Sequence, residues 1–297
     1  MEIRELRFII VASGIYEKIA NYLRMIKFSH SIFALPFALS SAFIASKGIP
    51  SFEKFLWIII AMVSARTVAM ALNRIIDRHI DKLNPRTASR EIPSGKVSLR
   101  DALILVFISL VLFLFSAWML NPLCFKLSFI ALVFIFFYSY TKRFTWASHF
   151  FLGFTISAAP VGAWIAITGE FDSRILLLGF SVMFWIAGFD ILYAIQDIEF
   201  DRSYGLYSIP AKFGINKSLW FARLCHIITW LLLLLSGIVF HLNYFYYLGV
   251  GIAGLILFYE HQLVSPNDLS KLNMAFFNMN GYLSVEIFIF TALSFLI

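Results

Sequence analysis

Asn73, Asp77 and Asp81 follow one another at four-residue intervals, and Asp190, Asp197 and Asp201 recur further along the chain. At about 100° per residue the first three fall within about 80° of one another on a helix and the second three within about 40°, so each set forms one stripe of oxygen donors. Amide and carboxylate oxygens without His or Cys among them suit a hard cation. Mg²⁺ fits above all, since it takes a few carboxylates and completes its shell with phosphate oxygens and water. A diphosphate is the natural bridging ligand, and it calls for cations nearby. Arg86 and Arg90 follow the first stripe, Lys142 and Arg143 stand between the two, and Arg202 and Lys212 follow the second. Each of these could equally be an anchor that keeps its loop on one side of a membrane.

Acids are costly inside a bilayer unless they are paired or ligate something, and the surrounding sequence is a bilayer sequence. Of the 297 residues, 61% are hydrophobic and 14% charged, against roughly 25% charged in a soluble domain. The chain is therefore expected to be an all-α polytopic membrane protein. Apolar runs long enough for a hydrocarbon core of about 30 Å fall near residues 28–46, 55–77, 102–120, 123–140, 149–168, 175–196, 219–240, 243–259 and 274–297, which predicts nine transmembrane helices. The first acid stripe closes the second span, and the second stripe closes the sixth.

Lys and Arg gather in the N-terminal tail and in every second loop, from Arg4, Arg7, Lys18 and Arg24 through to Lys217 and Lys271. The opposite side holds only Lys47, Lys54, Lys126 and Arg174. This asymmetry predicts a cytoplasmic N-terminus and accounts for the net charge of +7 with no nucleic-acid partner. Residues 1–24 mix acids, bases and apolar residues without the layout of a cleavable signal, and read as an interfacial segment feeding the first span. Cys124 and Cys225 have no partner pattern and read as small apolar residues, with neither disulfide nor metal site indicated.

No linker divides the chain, so residues 1–297 read as a single membrane domain. Its two long polar connections, 78–100 and 199–217, echo each other. Asp77 and Asp81 precede IPSG at 92–95, and Asp197 and Asp201 precede IPAKFG at 209–214, at a spacing of 120 residues. Four helices separate the copies, which suggests a parallel internal repeat of four-helix units.

The segments NRIIDRHIDKLNPRTASREIPSG at 73–95, YSYTKRFT at 138–145 and DILYAIQDIEFDRSYGLYSIPAKFG at 190–214 resemble the three signature regions of the UbiA superfamily of intramembrane aromatic prenyltransferases. ARTVAMALNR at 65–74 and NPRTASREIPSG further resemble the 4-hydroxybenzoate polyprenyltransferase branch. The resemblance runs from the first span through the loop after the sixth, and the C-terminal third adds only apolar helices. It implies nine helices around a central cavity, an active site near the cytoplasmic face and a lateral opening for a polyprenyl tail. By the same resemblance, Mg²⁺ held by Asn73, Asp77, Asp81, Asp197 and Asp201 clamps the diphosphate and promotes ionisation of the allylic C–O bond. A ring carbon ortho to a phenol hydroxyl then attacks the allyl cation.

Tyr138 and Lys142 match the family's pair that contacts diphosphate, with Arg143 beside them. Asp190 and Tyr193 match the upstream part of the second motif, where Asp190 would orient the acceptor or take its proton. Lys27 occupies the cationic position at the start of the first span. Arg66, two turns before Asn73, would pair either with an acceptor carboxylate or internally with an acid such as Glu286. His30 would line the acceptor pocket or serve the helix start. The 34 Phe could line an isoprenoid cavity, shield a carbocation or face lipid, and no single one stands out.

The expected function is Mg²⁺-dependent transfer of a polyprenyl group from polyprenyl diphosphate to 4-hydroxybenzoate in ubiquinone or other quinone biosynthesis. A dihydroxynaphthoate of a menaquinone route is the second acceptor; both are aromatic carboxylates. A cation-coupled transporter is the competing class, but it calls for acids at the bilayer midplane without an adjacent Arg-rich loop. Membrane lipid is the remaining partner. The expected location is a bacterial inner membrane, or the mitochondrial inner membrane in a eukaryote, with the active site towards the cytoplasm.

Overall fold

Start and stop signals divide residues 31–296 into ten α-helices, seen in a computed structural model that describes residues 16–297. They are α1 (Ser31–Ser46), α2 (Phe52–Leu83), α3 (Leu99–Leu120), α4 (Pro122–Thr141), α5 (Ser148–Thr168), α6 (Leu176–Ala194), α7 (Ile198–Ser203), α8 (Ile209–Val239), α9 (Tyr244–Gln262) and α10 (Asn280–Leu296). Side-chain oxygens of Ser51, Ser98, Asn121, Ser208 and Asn243 accept backbone N–H groups at the starts of α2, α3, α4, α8 and α9, each cap contributing about 1 kcal/mol. At the other end of α2, Pro85 cannot continue the helix, and Asn84 before it turns extended (φ −86°, ψ 119°).

Nine of these helices are long, and among the described residues eight stretches are long and apolar enough to cross a membrane. The chain is an integral, multi-pass membrane protein. The expected span at 243–259 does form a helix, α9, but it falls short on composition because four of its residues are Tyr and it ends in Glu260, His261 and Gln262. Arg4 and Arg7 lie outside the described residues, as does most of the expected interfacial segment. Residues 16–25 are helical, and Met25 and Ile26 pack with Val68 and Ala71 of α2.

Three local breaks depart from uniform spans. The sixth span is not one α-helix: a 3₁₀ turn, Ile195–Asp197, separates α6 from α7. Gly214 (φ 78°) interrupts α8 near its start. A π-helical turn, Met274–Met279, leads into α10.

Lipid offers no hydrophobic drive between helices, so association rests on close packing and hydrogen bonds. Gly153 of α5 lies so near α6 that a Cβ there would stand 2.2 Å from the Met183 carbonyl oxygen. Ser41 of α1 donates to the Pro160 carbonyl of α5 at 2.6 Å. The best-buried large side chains include Trp185, Phe37 and Tyr246.

Helices α1 to α6 surround a cavity of about 700 Å³ that runs from the acid stripes to Leu120, Cys124, Ala166 and Leu176 at the opposite end. That far end is tied together by Lys54, whose ammonium donates to the terminal carbonyls of Leu120 (3.0 Å) and Ala166 (2.6 Å). Asn121 adds a bond to the Ile165 carbonyl at 2.8 Å. Midway along, Ile130 of α4 and Phe154 of α5 line the cavity and are exposed. Phe134 meets Phe154 edge to face across the two helices, with ring centroids 5.0 Å apart.

Candidate active site

The last turns of α2 deliver the first acid stripe to the cavity as the spacing predicts. Asp77, 1% exposed, accepts from Lys142 Nζ at 2.6 Å, Arg143 Nη2 at 2.9 Å and Asn73 Nδ2 at 3.1 Å. Asp81 accepts from Arg90 Nη1 at 2.6 Å through Oδ1, while its Oδ2 is buried with no partner among the described residues. The same loop is folded back by Thr87, whose hydroxyl donates to the Asp81 carbonyl.

The second stripe is reached through the 3₁₀ turn. Asp197 takes a two-pronged contact from Arg86, Nε to Oδ1 at 2.9 Å and Nη2 to Oδ2, and a third bond from Asn84 Nδ2 at 2.9 Å. Arg86 also donates to the Tyr193 hydroxyl at 2.7 Å. Burial works against the Arg86 charge, yet the hydrogen bonds to Asp197 and Tyr193 and the attraction of both groups raise its pKa above the ordinary value. Asp201 accepts from the Ser208 hydroxyl at 2.8 Å, the residue that caps α8. The Tyr207 N–H donates to the Lys142 carbonyl at 2.7 Å, which joins the second loop to the end of α4.

The expected site residues Asn73, Asp77, Asp81, Arg86, Arg90, Tyr138, Lys142, Asp190, Tyr193, Asp197 and Asp201 all line one cavity, together with Lys27, His30 and Arg66. Arg143 reaches it through Asp77. Two loop cations stay away: Lys212 lies over the rings of Trp146 and Phe213, at 4.9 and 5.1 Å, and Arg202 donates to the Ala211 carbonyl. Arg202 belongs to α7 and Lys212 to the first turn of α8, and neither is among the residues lining the cavity. The internal pair between Arg66 and Glu286 does not form. Among the described residues, Glu286 sits against α9 near Gly249 with neither oxygen partnered, whereas Arg66 is at the cavity wall with its Nε unpartnered.

Four contributors were missed by sequence reasoning. Arg74 lines the cavity beside Lys27 and Arg66, tethered by its Nε to the Met25 carbonyl at 3.3 Å. Asn84 extends the first stripe to Asp197. His149 binds Asp190, Nδ1 to Oδ2 at 2.7 Å. Phe276, carried by the π-helical turn, stacks on Tyr193 with centroids 4.2 Å apart. Only Asn84 had a signal, as the next polar residue of the first stripe's loop.

Two electrostatic zones result. At the end of the cavity Arg86, Arg90, Lys142 and Arg143 are paired with Asp197, Asp81 and Asp77. Along one wall, Lys27, Arg66 and Arg74 have no acid partner among the described residues. Burial lowers the Lys27 pKa, with repulsion from Arg74 adding to it, Glu91 opposing, and Arg90 and Arg86 adding further. Among the described residues no three His, Cys, Asp or Glu side chains converge as a metal-binding group, because cations stand between the carboxylates. The donors nonetheless fit a hard cation in kind. They are carboxylate and amide oxygens, and the orphaned Asp81 Oδ2 is a buried acceptor in want of a positive partner.

Residues 34–282 match the UbiA prenyltransferase family. Among curated relatives, the 4-hydroxybenzoate octaprenyltransferase of Vibrio atlanticus is 31% identical over 84% of this chain and 87% of its own length. That of Francisella tularensis subsp. tularensis is 31% identical over 87% and 89%. The apo structure of a UbiA homolog from Aeropyrum pernix superposes with a TM-score of 0.78 at 29% identity, covering 90% of this chain and 97% of the other. A UbiA homolog from Archaeoglobus fulgidus, solved bound to GPP and Mg²⁺, superposes with a TM-score of 0.67 at 19% identity, covering 93% of this chain and all of the other. With both acid stripes on one intramembrane cavity and the family match spanning nearly all the helices that form it, this chain is a member of the UbiA prenyltransferase family.

Proposed function

We propose that the chain transfers a polyprenyl group from polyprenyl diphosphate to the ring carbon ortho to the hydroxyl of 4-hydroxybenzoate. The observation that carries this reading is the division of one cavity into three chemistries: paired acids and cations at one end, unpaired cations on a wall, and an apolar run to the far end. A diphosphate, a carboxylate and an isoprenoid each have a matching zone. The names of the octaprenyltransferase relatives point to the same acceptor.

Asn73, Asp77, Asp81, Asp197 and Asp201 would hold Mg²⁺, which when bound neutralises charge developing on the diphosphate as its allylic C–O bond breaks. Arg86, Arg90, Lys142 and Arg143 would bind the diphosphate oxygens, charge-assisted contacts that strengthen as the leaving group departs. Tyr138 borders that end of the cavity. Lys27, Arg66 and Arg74 receive the acceptor's carboxylate, with His30 beside them. Tyr193 and Phe276 present aromatic faces that favour a nearby cation. Asp190 faces the acceptor hydroxyl. The apolar length of the cavity, lined by Ile130 of α4 and Phe154 of α5, accommodates the isoprenoid and excludes water.

The basic loops support an orientation with the N-terminus and the acid stripes at the cytoplasmic side, in a bacterial inner membrane. The matched Asp pairs support a parallel repeat within one membrane domain.

Purified protein in detergent or vesicles, given Mg²⁺, a polyprenyl diphosphate and 4-hydroxybenzoate, should yield the ortho-prenylated acid by mass spectrometry. A chelator should abolish the product and added Mg²⁺ restore it. A dihydroxynaphthoate run in parallel tests the second acceptor; transfer to neither acid refutes the reading.

A further inference from the structure

His149 is buried in the first turn of α5, and none of the roles above uses it. Its two ring nitrogens have different partners. Nδ1 lies 2.7 Å from Asp190 Oδ2, and Nε2 lies 3.3 Å from the backbone nitrogen of Ile209. A backbone N–H can only donate, so Nε2 accepts and the ring proton resides on Nδ1, where it donates to Asp190. The imidazole is thereby set in one tautomer by α8 and turned towards α6. Its carboxylate partner keeps 26% of its side chain exposed, and both residues line the cavity. This is the arrangement in which an outer residue fixes the orientation and basicity of the group that meets the substrate.

We propose that His149 is a positioning residue: it holds one oxygen of Asp190 so that the other receives the hydroxyl proton of the aromatic acceptor. This inference rests on the functional reading above. As the proton passes to Asp190, electron density rises on the ortho carbon. That carbon bonds to the allylic carbon, whose C–O bond breaks with its electron pair leaving on the diphosphate. The ortho C–H proton then leaves with the diphosphate, and Asp190 returns its proton to the ring oxygen, so the aromatic hydroxyl is restored. The bland alternative is that His149 merely staples Ile209, and with it the start of α8, to α5.

Two amide substitutions separate these roles. Asn places an N–H near the position of Nδ1 and keeps the bond to Asp190, whereas Gln places its amide near Nε2 and keeps the bond to Ile209. The proposal expects His149→Gln to lower kcat about 10–100-fold, the usual effect of losing such an outer partner. The KM for polyprenyl diphosphate should stay within about twofold, and the acid limb of the kcat/KM profile for the aromatic acid should shift. His149→Asn should keep kcat within about fivefold and leave the acid limb in place, since its donor to Asp190 survives. Adding His149→Gln to Asp190→Asn should bring little further loss, since the two act as a unit.

A Gln variant as active as or more active than the Asn variant overturns the proposal, as do additive losses in the double variant. Should His149→Gln fail to fold, His149→Asn still decides, because a folded Asn variant below a tenth of wild-type kcat overturns it. A wild-type protein that prenylates no aromatic acid would bring down both this inference and the functional reading, whereas an active wild type with the wrong order of variants brings down this inference alone.

Discussion

Asp77 offers the sharpest test, because the same contacts give it a structural and a chemical role that can be separated. It is 1% exposed and holds Lys142 at 2.6 Å and Arg143 at 2.9 Å. Asp77→Asn keeps the shape and removes the charge. Stripping one partner from a fully buried pair costs about 3–5 kcal/mol. Here Lys142 and Arg143 keep 31% and 30% of their side chains exposed, so screening reduces the expected loss to roughly 1–3 kcal/mol. Turnover should fall further, by about 10²–10³, equivalent to about 2.7–4 kcal/mol of transition-state stabilisation.

The double variant Asp77→Asn/Lys142→Met removes an acid and a base together and should recover most of the thermal stability while turnover stays low. The assays are a detergent melting curve and product formation from labelled polyprenyl diphosphate. A double variant that regains both stability and turnover would mean that Asp77 only balances charge, and the diphosphate clamp assigned to it would be refuted.

Three further outcomes are expected. Arg66→Leu should raise the KM for the aromatic acid about 10–100-fold, as loss of a hydrogen bond to a charged group costs about 1.5–3 kcal/mol, and leave the KM for polyprenyl diphosphate nearly unchanged; equal rises in both would remove Arg66 from the acceptor zone. Burial and Arg74 lower the Lys27 pKa from 10.5, so folded protein sheds this proton before unfolded protein does, and this residue's contribution to stability rises as pH climbs through the lowered value towards 10.5. Acceptor binding should weaken over that same rise, and Lys27→Arg should move the alkaline limb of acceptor KM upward; a limb that does not move excludes Lys27. Gly153→Ala should lower the melting point, because its Cβ would press within 2.2 Å of the Met183 carbonyl and overpacking costs about 1–3 kcal/mol; an unchanged melting curve would show that α5 can move away from α6 without loss.

The helices and the acid ladders were legible because their signals are local: apolar length, Ser and Asn caps, and a repeat of four that matches a helical turn. The ends of the second ladder were not. Nothing in the run around Ile195 marks the 3₁₀ turn, which re-aims Asp197 and Asp201 relative to Asp190. His149 was hidden for another reason, since a single His opening an apolar helix has no periodic partner, and its meaning comes from Asp190, 41 residues away. Phe276 was one aromatic among 34 Phe until the π-helical turn placed it on Tyr193. Lys212 shows the converse, a cation in the right loop whose ammonium rests on indole and phenyl rings. Spacing identifies a stripe, but it does not reveal which neighbour completes it.

The ion pairs at the end of the cavity also bear on how the chain is made. Asp77 waits for Lys142, 65 residues later, which at about 5–20 residues per second is roughly 3–13 s of synthesis. Asp197 meets the opposite situation, because Arg86, 111 residues earlier, is already present when it emerges. The first carboxylate is thus exposed to the insertion machinery before its counter-ions exist, and the second never is. Slowed or truncated synthesis between α2 and α4 should leave the nascent chain most vulnerable to quality control, and the hazard should pass once α4 has entered the bilayer.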